Sequence, residues 1–339
     1  MSLYINYPSW ITPEIIPGIP LRWYGLMYIV AFGITYLLCK RYLKTHKLGS
    51  EINQDSLVNL FFWTIFSLLI GARLFAAIFY DPSGKYLQQP WLIFWPFDGN
   101  GNFIGLQGMS YHGGLVGGVI GVILFSRKNR FSVLEVGDML TTSIPLGYTF
   151  GRLGNFFNGE LYGRVTTSWY GMLFPTARRF PASEEWVKEV AAQVDIPVIG
   201  TMINLPRHPS QLYEAFLEGI VLFSIMWFVF RKRKPFPGFM IGLYLVGYGT
   251  LRFLAEYSRQ PDTGLGYIID LSGKNPAPFL FETFFAFSMG QIFCLLMIIS
   301  GLILWFLLNQ YNKKTVSRVE TFQPGSPKKI SRSVRKKLR

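Results

Sequence analysis

The stretch that decides the fold class is TFFAFSMGQIFCLLMIISGLILWFLL, residues 283–308, in which 26 residues follow one another without an Asp, Glu, Lys or Arg. About 20 predominantly apolar residues are enough for a helix to cross the hydrocarbon core of a bilayer. The rest of the chain agrees with a membrane protein, because 50% of its 339 residues are hydrophobic, 15% are charged, and the mean hydropathy is +0.28. These values exclude a simple soluble domain, a disordered chain and a disulfide-rich secreted scaffold.

Six more apolar runs of comparable length lie upstream of this one. They cover residues 23–39, 57–80, 103–126, 139–158, 211–230 and 238–257. The sequence therefore predicts an all-α polytopic membrane protein with seven transmembrane helices, all within residues 1–312.

Lys and Arg residues gather at alternate ends of these runs. Of the 33 basic residues, 21 follow the first, third, fifth and seventh runs, so this side is predicted to be cytoplasmic. An odd number of spans places the N-terminus outside and the C-terminus in the cytoplasm. The segment 159–209, between helices 4 and 5, is then a small outer head with a helix at 183–194. The segment 259–282 is an outer loop, and 313–339 is a disordered basic tail.

The net charge of +14 follows from this topology and not from a nucleic-acid site, so no nucleic-acid partner is expected. Both cysteines, Cys39 and Cys294, lie in apolar runs, and none of the three histidines stands beside a cluster of carboxylates. Neither a metal site nor a cofactor is expected, since no nucleotide-binding loop or dinucleotide fingerprint occurs in a suitable context.

Three arginines interrupt the apolar runs. An Arg at the middle of a membrane helix costs about 2.5–3.5 kcal/mol on insertion scales, so such residues normally face an interior or a wet cavity. Arg152 and Arg252 are in this situation. Arg73 is the third, and its side chain could also reach the headgroups without any further role.

Arg152 opens the sequence GRLGNFFNGELYG, residues 151–163, which interrupts a membrane segment with four glycines and two asparagines. At helical spacing Arg152, Asn155 and Gly159 fall on one side. Glycines allow a ligand to approach the backbone, and Asn side chains can hydrogen-bond ester or phosphate oxygens. The segment predicts an anion site at a helix end, although a helix-breaking turn would need some of the same residues.

A polar stripe is predicted on the sixth helix, where Tyr248, Arg252, Glu256 and Arg259 recur at intervals of four, four and three residues, with two arginines against one carboxylate. Together with Arg152, this stripe predicts a surplus of guanidinium groups, whose fork geometry suits a phosphate or a carboxylate. The fifth helix carries a matching stripe with Glu214 and Glu218, which could pair with the arginines and make the network purely structural.

His112 stands alone in YHGGLVGGVIG, near one end of the third run. A lone His in an apolar stretch is more often a structural donor than a catalyst, and both interpretations stay open here. The neighbouring glycines, Gly113 and Gly114 among them, favour close packing of membrane helices.

Six sequence blocks resemble the prolipoprotein diacylglyceryl transferase family. They are RWYGLMY (22–28), YHGGL (111–115), GRLGNFFNGELYGR (151–164), RHPSQLYE (207–214), YGTLRFLAEYSRQPD (248–262) and SMGQ (288–291). The blocks extend over most of the chain in the family order, and the long third block is the most specific of them.

The resemblance implies an enzyme of the bacterial cytoplasmic (inner) membrane with a periplasmic head. Its reaction moves the diacylglyceryl group of phosphatidylglycerol to the lipobox cysteine of a preprolipoprotein that still carries its signal peptide. A thioether forms and glycerol 1-phosphate leaves. Membrane lipids and the lipoprotein precursor are the partners that this reaction needs.

The resemblance also implies roles for individual residues. Arg152 and Arg252 are expected to bind the phosphate and stabilise the leaving group, and His112 is the leading candidate for the general base. The remaining binding residues are expected to be Tyr24, Gly113, Gly114, Asn155, Glu160, Gly163, Tyr248 and Glu256.

Two other functions fit the residues alone. Buried arginines beside broken helices also build anion sites in transporters and channels, although no internal repeat is visible. A non-catalytic membrane protein that binds phospholipid would need the same arginines.

Overall fold

The computed structural model describes residues 3–16, 18, 21–46, 48, 52–81, 83–103, 105, 108–261, 264–274 and 276–321, the last six by their backbone alone. The helices in these ranges are α1 (Trp23–Thr45), α2 (Gln54–Phe79), α3 (Lys85–Gln88), α4 (Tyr111–Lys128), α5 (Val133–Phe157), α6 (Glu185–Gln193), α7 (Ser210–Phe230), α8 (Phe239–Glu256) and α9 (Met289–Thr321). The strands are β1 (Ile5–Asn6), β2 (Met172–Leu173), β3 (Phe180–Pro181), β4 (Met202–Ile203), β5 (Tyr267–Asp270) and β6 (Ala286–Ser288).

Four of these helices are long and apolar enough to cross a membrane, which supports a helical membrane protein. They are α1, α2, α7 and the Met289–Thr315 part of α9. Each predicted run contains a helix, but α4, α5 and α8 are more polar than the other four. The number of seven spans and their orientation therefore stay predictions.

The strands correct the expectation of an entirely α-helical chain. They form three two-stranded ladders, with β1 parallel to β2 and the pairs β3–β4 and β5–β6 antiparallel. The predicted seventh run, 283–308, is wrong at its start, because β6 takes up part of it and α9 begins only at Met289. Its Phe-rich first residues favour a strand over a helix.

Two further predicted boundaries differ from the structure. The run 103–126 is helical only from Tyr111, where Ser110 caps α4 by accepting a hydrogen bond from the Gly113 amide at 3.2 Å. Helix α9 continues to Thr321 and so includes the first nine residues of the predicted tail. Lysine is a good helix former, which explains the continuation. The rest of that tail, 322–339, lies outside the described residues.

The chain divides into two compact units, one formed by Met1–Leu38 with Leu140–Arg339 and the other by Cys39–Met139. In the second unit α2 packs against α4 along glycines. A Cβ at Gly71 would lie 2.4 Å from the Gly113 carbonyl oxygen, so the two backbones touch where no side chain intervenes.

Arg73 of α2 is 3% exposed and has a structural partner set in the second unit. Its guanidinium donates to the carbonyl oxygens of Ile93 and, at 3.2 Å, of Gly108, and to the Tyr86 hydroxyl at 3.0 Å. These contacts hold the segment between α2 and α4, and they account for this arginine without a headgroup.

The head segment, in the first unit, has its own small core. Helix α6 and the β3–β4 ladder bury an apolar cluster of Val165, Phe180, Val187, Val190, Ala191, Ile203 and Leu205. Phe279 and Leu280 of the loop before β6 pack against it. The helix predicted at 183–194 is confirmed at Glu185–Gln193.

Candidate functional site

Helix α5 contributes Arg152, which the GRLGN sequence sets four residues after Tyr148 and three before Asn155. Its Nε donates to the Tyr148 hydroxyl at 2.6 Å and its Nη1 to Asn155 Oδ1 at 3.4 Å. Asn155 in turn donates to Glu160 Oε1 at 2.9 Å. The spacing predicted for this segment therefore brings Arg152 and Asn155 together on one side of the helix, and hydrogen bonds connect Arg152, Asn155 and Glu160 in series.

Helix α7 contributes Glu214 and Glu218, whose side chains have no exposure to solvent. The helix winds as π-helical turns over Ala215–Val221 and Ile225–Phe230. Thr149 of α5 packs where Gly219 has no side chain, since a Cβ there would lie 2.0 Å from the Thr149 hydroxyl oxygen. Such π-helical turns are frequent at functional sites.

Helix α8 contributes the predicted stripe of Arg252 and Glu256, and the structure confirms that they share a face. Arg252 Nη2 lies 2.6 Å from Glu256 Oε2. Arg252 also lies 3.9 Å from both Glu214 Oε2 and Glu218 Oε1. Arg259, just beyond the helix end, lies 3.9 Å from Glu214 Oε1.

The two predicted arginines meet at Glu214. Its Oε2 lies 3.0 Å from Arg152 Nη2 and 3.9 Å from Arg252 Nη1, so guanidinium groups from α5 and α8 reach one carboxylate oxygen. Within the described residues Arg252 Nη1 has no hydrogen-bond partner and holds Glu214 only as an ion pair. An anionic oxygen at this point would be reached by both arginines.

The surplus of guanidinium groups expected from the sequence is wrong by formal charge. Three arginines (Arg152, Arg252 and Arg259) face three glutamates (Glu214, Glu218 and Glu256). Buried cations need carboxylate partners, because moving a charge out of water without a compensating partner is costly. Interactions in this cluster are strong because the surroundings exclude most water, with the arginine side chains only 12–15% exposed.

Tyrosines surround the cluster. The Tyr148 hydroxyl donates to Glu218 Oε2 at 2.5 Å, and its ring meets the Tyr248 ring edge-on at 5.7 Å. Tyr24 of α1 packs against α5 at Gly154, where a Cβ would lie 3.5 Å from Tyr24 Cδ2. The Tyr24 hydroxyl lies 3.0 Å from the Tyr28 hydroxyl. Tyr24 and Tyr248 therefore border the arginine network.

Gly163 joins the end of the segment 151–164, the signature segment, to the chain at His208 and at Ser258. Its amide donates to the His208 carbonyl at 2.8 Å, and a Cβ would lie 2.3 Å from the Ser258 carbonyl oxygen. Glycine is needed here for backbone contact, whether or not a ligand also binds.

Two buried arginines fasten the head beside the site. Arg164, 1% exposed, donates to the carbonyl of Arg259 at 2.8 Å, and Arg207, 0% exposed, donates to Gln260 and to the Arg178 carbonyl. Burial lowers the pKa of Arg164, and it lowers the pKa of Arg207 to about 10. Both side chains hold the end of α8 against the signature segment.

His112, Gly113 and Gly114 belong to the second unit. His112 is exposed, and its Nδ1 lies 3.4 Å from the Tyr80 hydroxyl. A Cβ at Gly113 would lie 2.3 Å from Phe75 Cβ, and one at Gly114 would lie 3.6 Å from Ala72 Cβ, so both glycines face α2. This packing agrees with the structural interpretation of the glycines.

The sequence reasoning missed Tyr148 and Ser288. Ser288 donates to Glu256 Oε1 at 2.9 Å from the end of β6. Tyr148 could have been found from its position one helical turn before Arg152. Ser288 lies in the SMGQ block, but its partner Glu256 comes from a distant part of the chain and could not be predicted. Across the described residues no three metal-ligating side chains gather into a site.

Comparison with known proteins gives concordant matches. The family model for prolipoprotein diacylglyceryl transferase matches residues 11–307. A phosphatidylglycerol–prolipoprotein diacylglyceryl transferase of Treponema denticola is 51% identical, covering 93% of this chain and 97% of its own. Proteins of the same name from Treponema pallidum (48%; 92% of this chain, 97% of its own) and Chlorobaculum tepidum (44%; 88% and 90%) are also similar.

Proposed function

The chain belongs to the prolipoprotein diacylglyceryl transferase family, and from that premise we propose that it transfers the sn-1,2-diacylglyceryl group of phosphatidylglycerol to the lipobox cysteine of preprolipoproteins. In this reaction the cysteine sulfur attacks the glyceryl methylene carbon. A C–S bond forms, the C–O bond to phosphate breaks, and glycerol 1-phosphate leaves with the electron pair. The thiol proton must pass to a base.

The observation that carries this proposal is the meeting of Arg152 and Arg252 at one oxygen of Glu214. A phosphate oxygen in the place of that carboxylate oxygen would receive hydrogen bonds from both guanidinium groups. Fixed donors at low dielectric stabilise the charge that develops on a departing phosphate far better than water does. A guanidinium group freed from its carboxylate lowers the pKa of a thiol nearby, which raises its thiolate fraction.

Roles for the other predicted residues complete the proposal. Asn155 and Glu160 orient Arg152 and contact headgroup hydroxyls, and Glu256 orients Arg252. Tyr24 and Tyr248 donate hydrogen bonds to the headgroup, and Gly163 shapes its pocket. His112 takes the thiol proton, and Gly113 and Gly114 position it by letting α4 pack closely against α2.

We further propose the finer topology. Residues 1–312 form a seven-span catalytic domain in the bacterial inner membrane, with the N-terminus and the segments 159–209 and 259–282 in the periplasm. The basic segment 313–339 is cytoplasmic. The distribution of Lys and Arg supports this orientation.

The test is a transfer assay with the purified protein in phosphatidylglycerol liposomes and a lipobox peptide, read by mass spectrometry. We expect a peptide heavier by one diacylglyceryl group. Arg152→Ala should reduce the product at least 100-fold, since removing one fixed donor from a developing anion costs about 10²–10³ in rate. Arg179→Ala, which removes an exposed head arginine, is the matched control and should keep wild-type activity.

Undiminished transfer by Arg152→Ala would contradict the assigned role. A wild-type protein that binds phosphatidylglycerol and yields no modified peptide would favour the non-catalytic alternative.

The general base has its own test. His112→Gln should lose activity most strongly below about pH 8, where the thiol is mostly protonated and a base is needed. Near-normal turnover with a flat profile from about pH 6 to 9 would remove His112 from the mechanism.

A further inference from the structure

The β5–β6 hairpin and the residues beside it expose a group of large apolar side chains. Ile268, Ile269 and Leu271 are 45%, 43% and 69% exposed, and Phe284 and Phe285, just before β6, are 61% and 62% exposed. Exposed apolar groups in such a continuous set mark an interaction surface.

Other side chains of the hairpin fasten it to the rest of the first unit. Tyr267 accepts a hydrogen bond from Arg164 at 2.5 Å, and the Phe287 ring packs against that of Phe253 at 5.9 Å. Ser288 donates to Glu256 of the candidate site. These contacts hold the hairpin in one orientation.

The position of the hairpin relative to the bilayer follows from α9. The helix begins one residue after β6, and its uncharged part from Met289 to Leu308 has the length of one hydrocarbon crossing, about 30 Å. Leu271 pairs with Phe285, its amide donating to the Phe285 carbonyl at 2.9 Å. Phe285 precedes α9 by four residues, so the pair lies at most about 13 Å beyond the hydrocarbon boundary.

Exposed apolar residues follow along α9 as well, where Phe293 and Leu296 are 47% and 52% exposed. Aromatic and aliphatic residues at this depth are typical of the membrane–water interface. We propose that the β5–β6 hairpin lies in the interfacial layer of the bilayer, with Ile268, Ile269, Leu271, Phe284 and Phe285 inserted among the lipid headgroups and upper acyl chains. This inference rests on α9 crossing the membrane and not on the transfer reaction.

Spin labelling in phosphatidylglycerol-containing liposomes tests the proposal. Leu271→Cys and Ile268→Cys would each carry a nitroxide, and both native cysteines are buried and so protected from the reagent. The ratio of label accessibility to oxygen and to a polar nickel reagent measures depth. Ile199→Cys, at a head residue 78% exposed, is the aqueous reference, and Leu296→Cys is the hydrocarbon reference.

We expect both hairpin labels to give depths between those of the two reference labels. Labels at 271 and 268 that match the Ile199→Cys value would overturn the proposal. Immobilisation of these labels by a lipobox peptide in micelles, without a depth signal in liposomes, would also overturn it and would assign the surface to a peptide.

Discussion

The Glu214 carboxylate pairs with two arginines from different helices, Arg152 of α5 and Arg252 of α8. Intramembrane charge is rare enough that both arginines can be predicted as site residues from the sequence. Their partner carboxylates could be predicted only as one of two alternatives, because a sequence gives helical faces and not which faces meet. Tyr148 was not predicted, since a tyrosine in an apolar helix is usually a packing residue.

Tyr148 links Arg152 to Glu218. Its hydroxyl accepts a hydrogen bond from Arg152 Nε and donates one to Glu218 Oε2. We expect Tyr148→Phe to keep the fold, because the ring and its contact with Tyr248 remain. Activity should fall about 10-fold, mainly through kcat, since Arg152 loses the hydrogen bond that orients it. The transfer assay at saturating and limiting lipid separates kcat from KM.

Tyr311→Phe, at an exposed position of α9, is the control for that experiment. Wild-type kinetics in Tyr148→Phe would show that Arg152 is oriented by Glu214 and Asn155 alone.

At the scale of elements, periodicity predicted where helices lie but not how they end or wind. The π-helical turns of α7 accompany its contact with Thr149, a tertiary effect that no local pattern contains. The start of α9 was misplaced for a similar reason, because pairing with β5 captures residues that are apolar enough for a span.

The α2–α4 contact gives a matched pair of substitutions. A Cβ at Gly117 would lie 2.3 Å from the Ser67 carbonyl oxygen, whereas one at Gly118 would lie 3.9 Å from Leu68 Cβ. Gly117→Ala should therefore destabilise the second unit by about 1–3 kcal/mol, as overpacking does, and Gly118→Ala should be tolerated. Thermal unfolding in detergent measures both, and equal midpoints would argue against backbone contact at Gly117.

The head segment should be sensitive to acid through His208. Burial, and secondarily Arg164, lowers the pKa of His208 to about 4 from its usual 6.5. Between these values the unfolded head binds a proton that the folded head does not, so stability falls as pH drops from about 6.5 towards 4. Hydrogen exchange of 159–209 should rise over this window.

His208→Gln should flatten that dependence, whereas His46→Gln, in the second unit, should leave it in place. A head whose exchange rises equally in the His208→Gln variant would assign the acid sensitivity to other groups.

For the whole molecule, the sequence predicted the membrane class, and the structure supports it through four long apolar helices. The orientation depends on the basic residues at the ends of the runs. Ile199→Cys should react with a membrane-impermeant maleimide in intact cells, and Lys232→Cys should react only after the membrane is opened. The reverse pattern would invert the proposed topology.

The equal number of arginines and glutamates has a consequence for release. Because Glu214, Glu218 and Glu256 already neutralise the guanidinium groups, a phosphate gains only the difference between its own attraction and theirs. A departing phosphate ester leaves behind cations that the carboxylates take up again at once. If phosphate binds here as proposed, the paired carboxylates limit how tightly the released headgroup is held, whereas a cavity with unpaired arginines would retain its product.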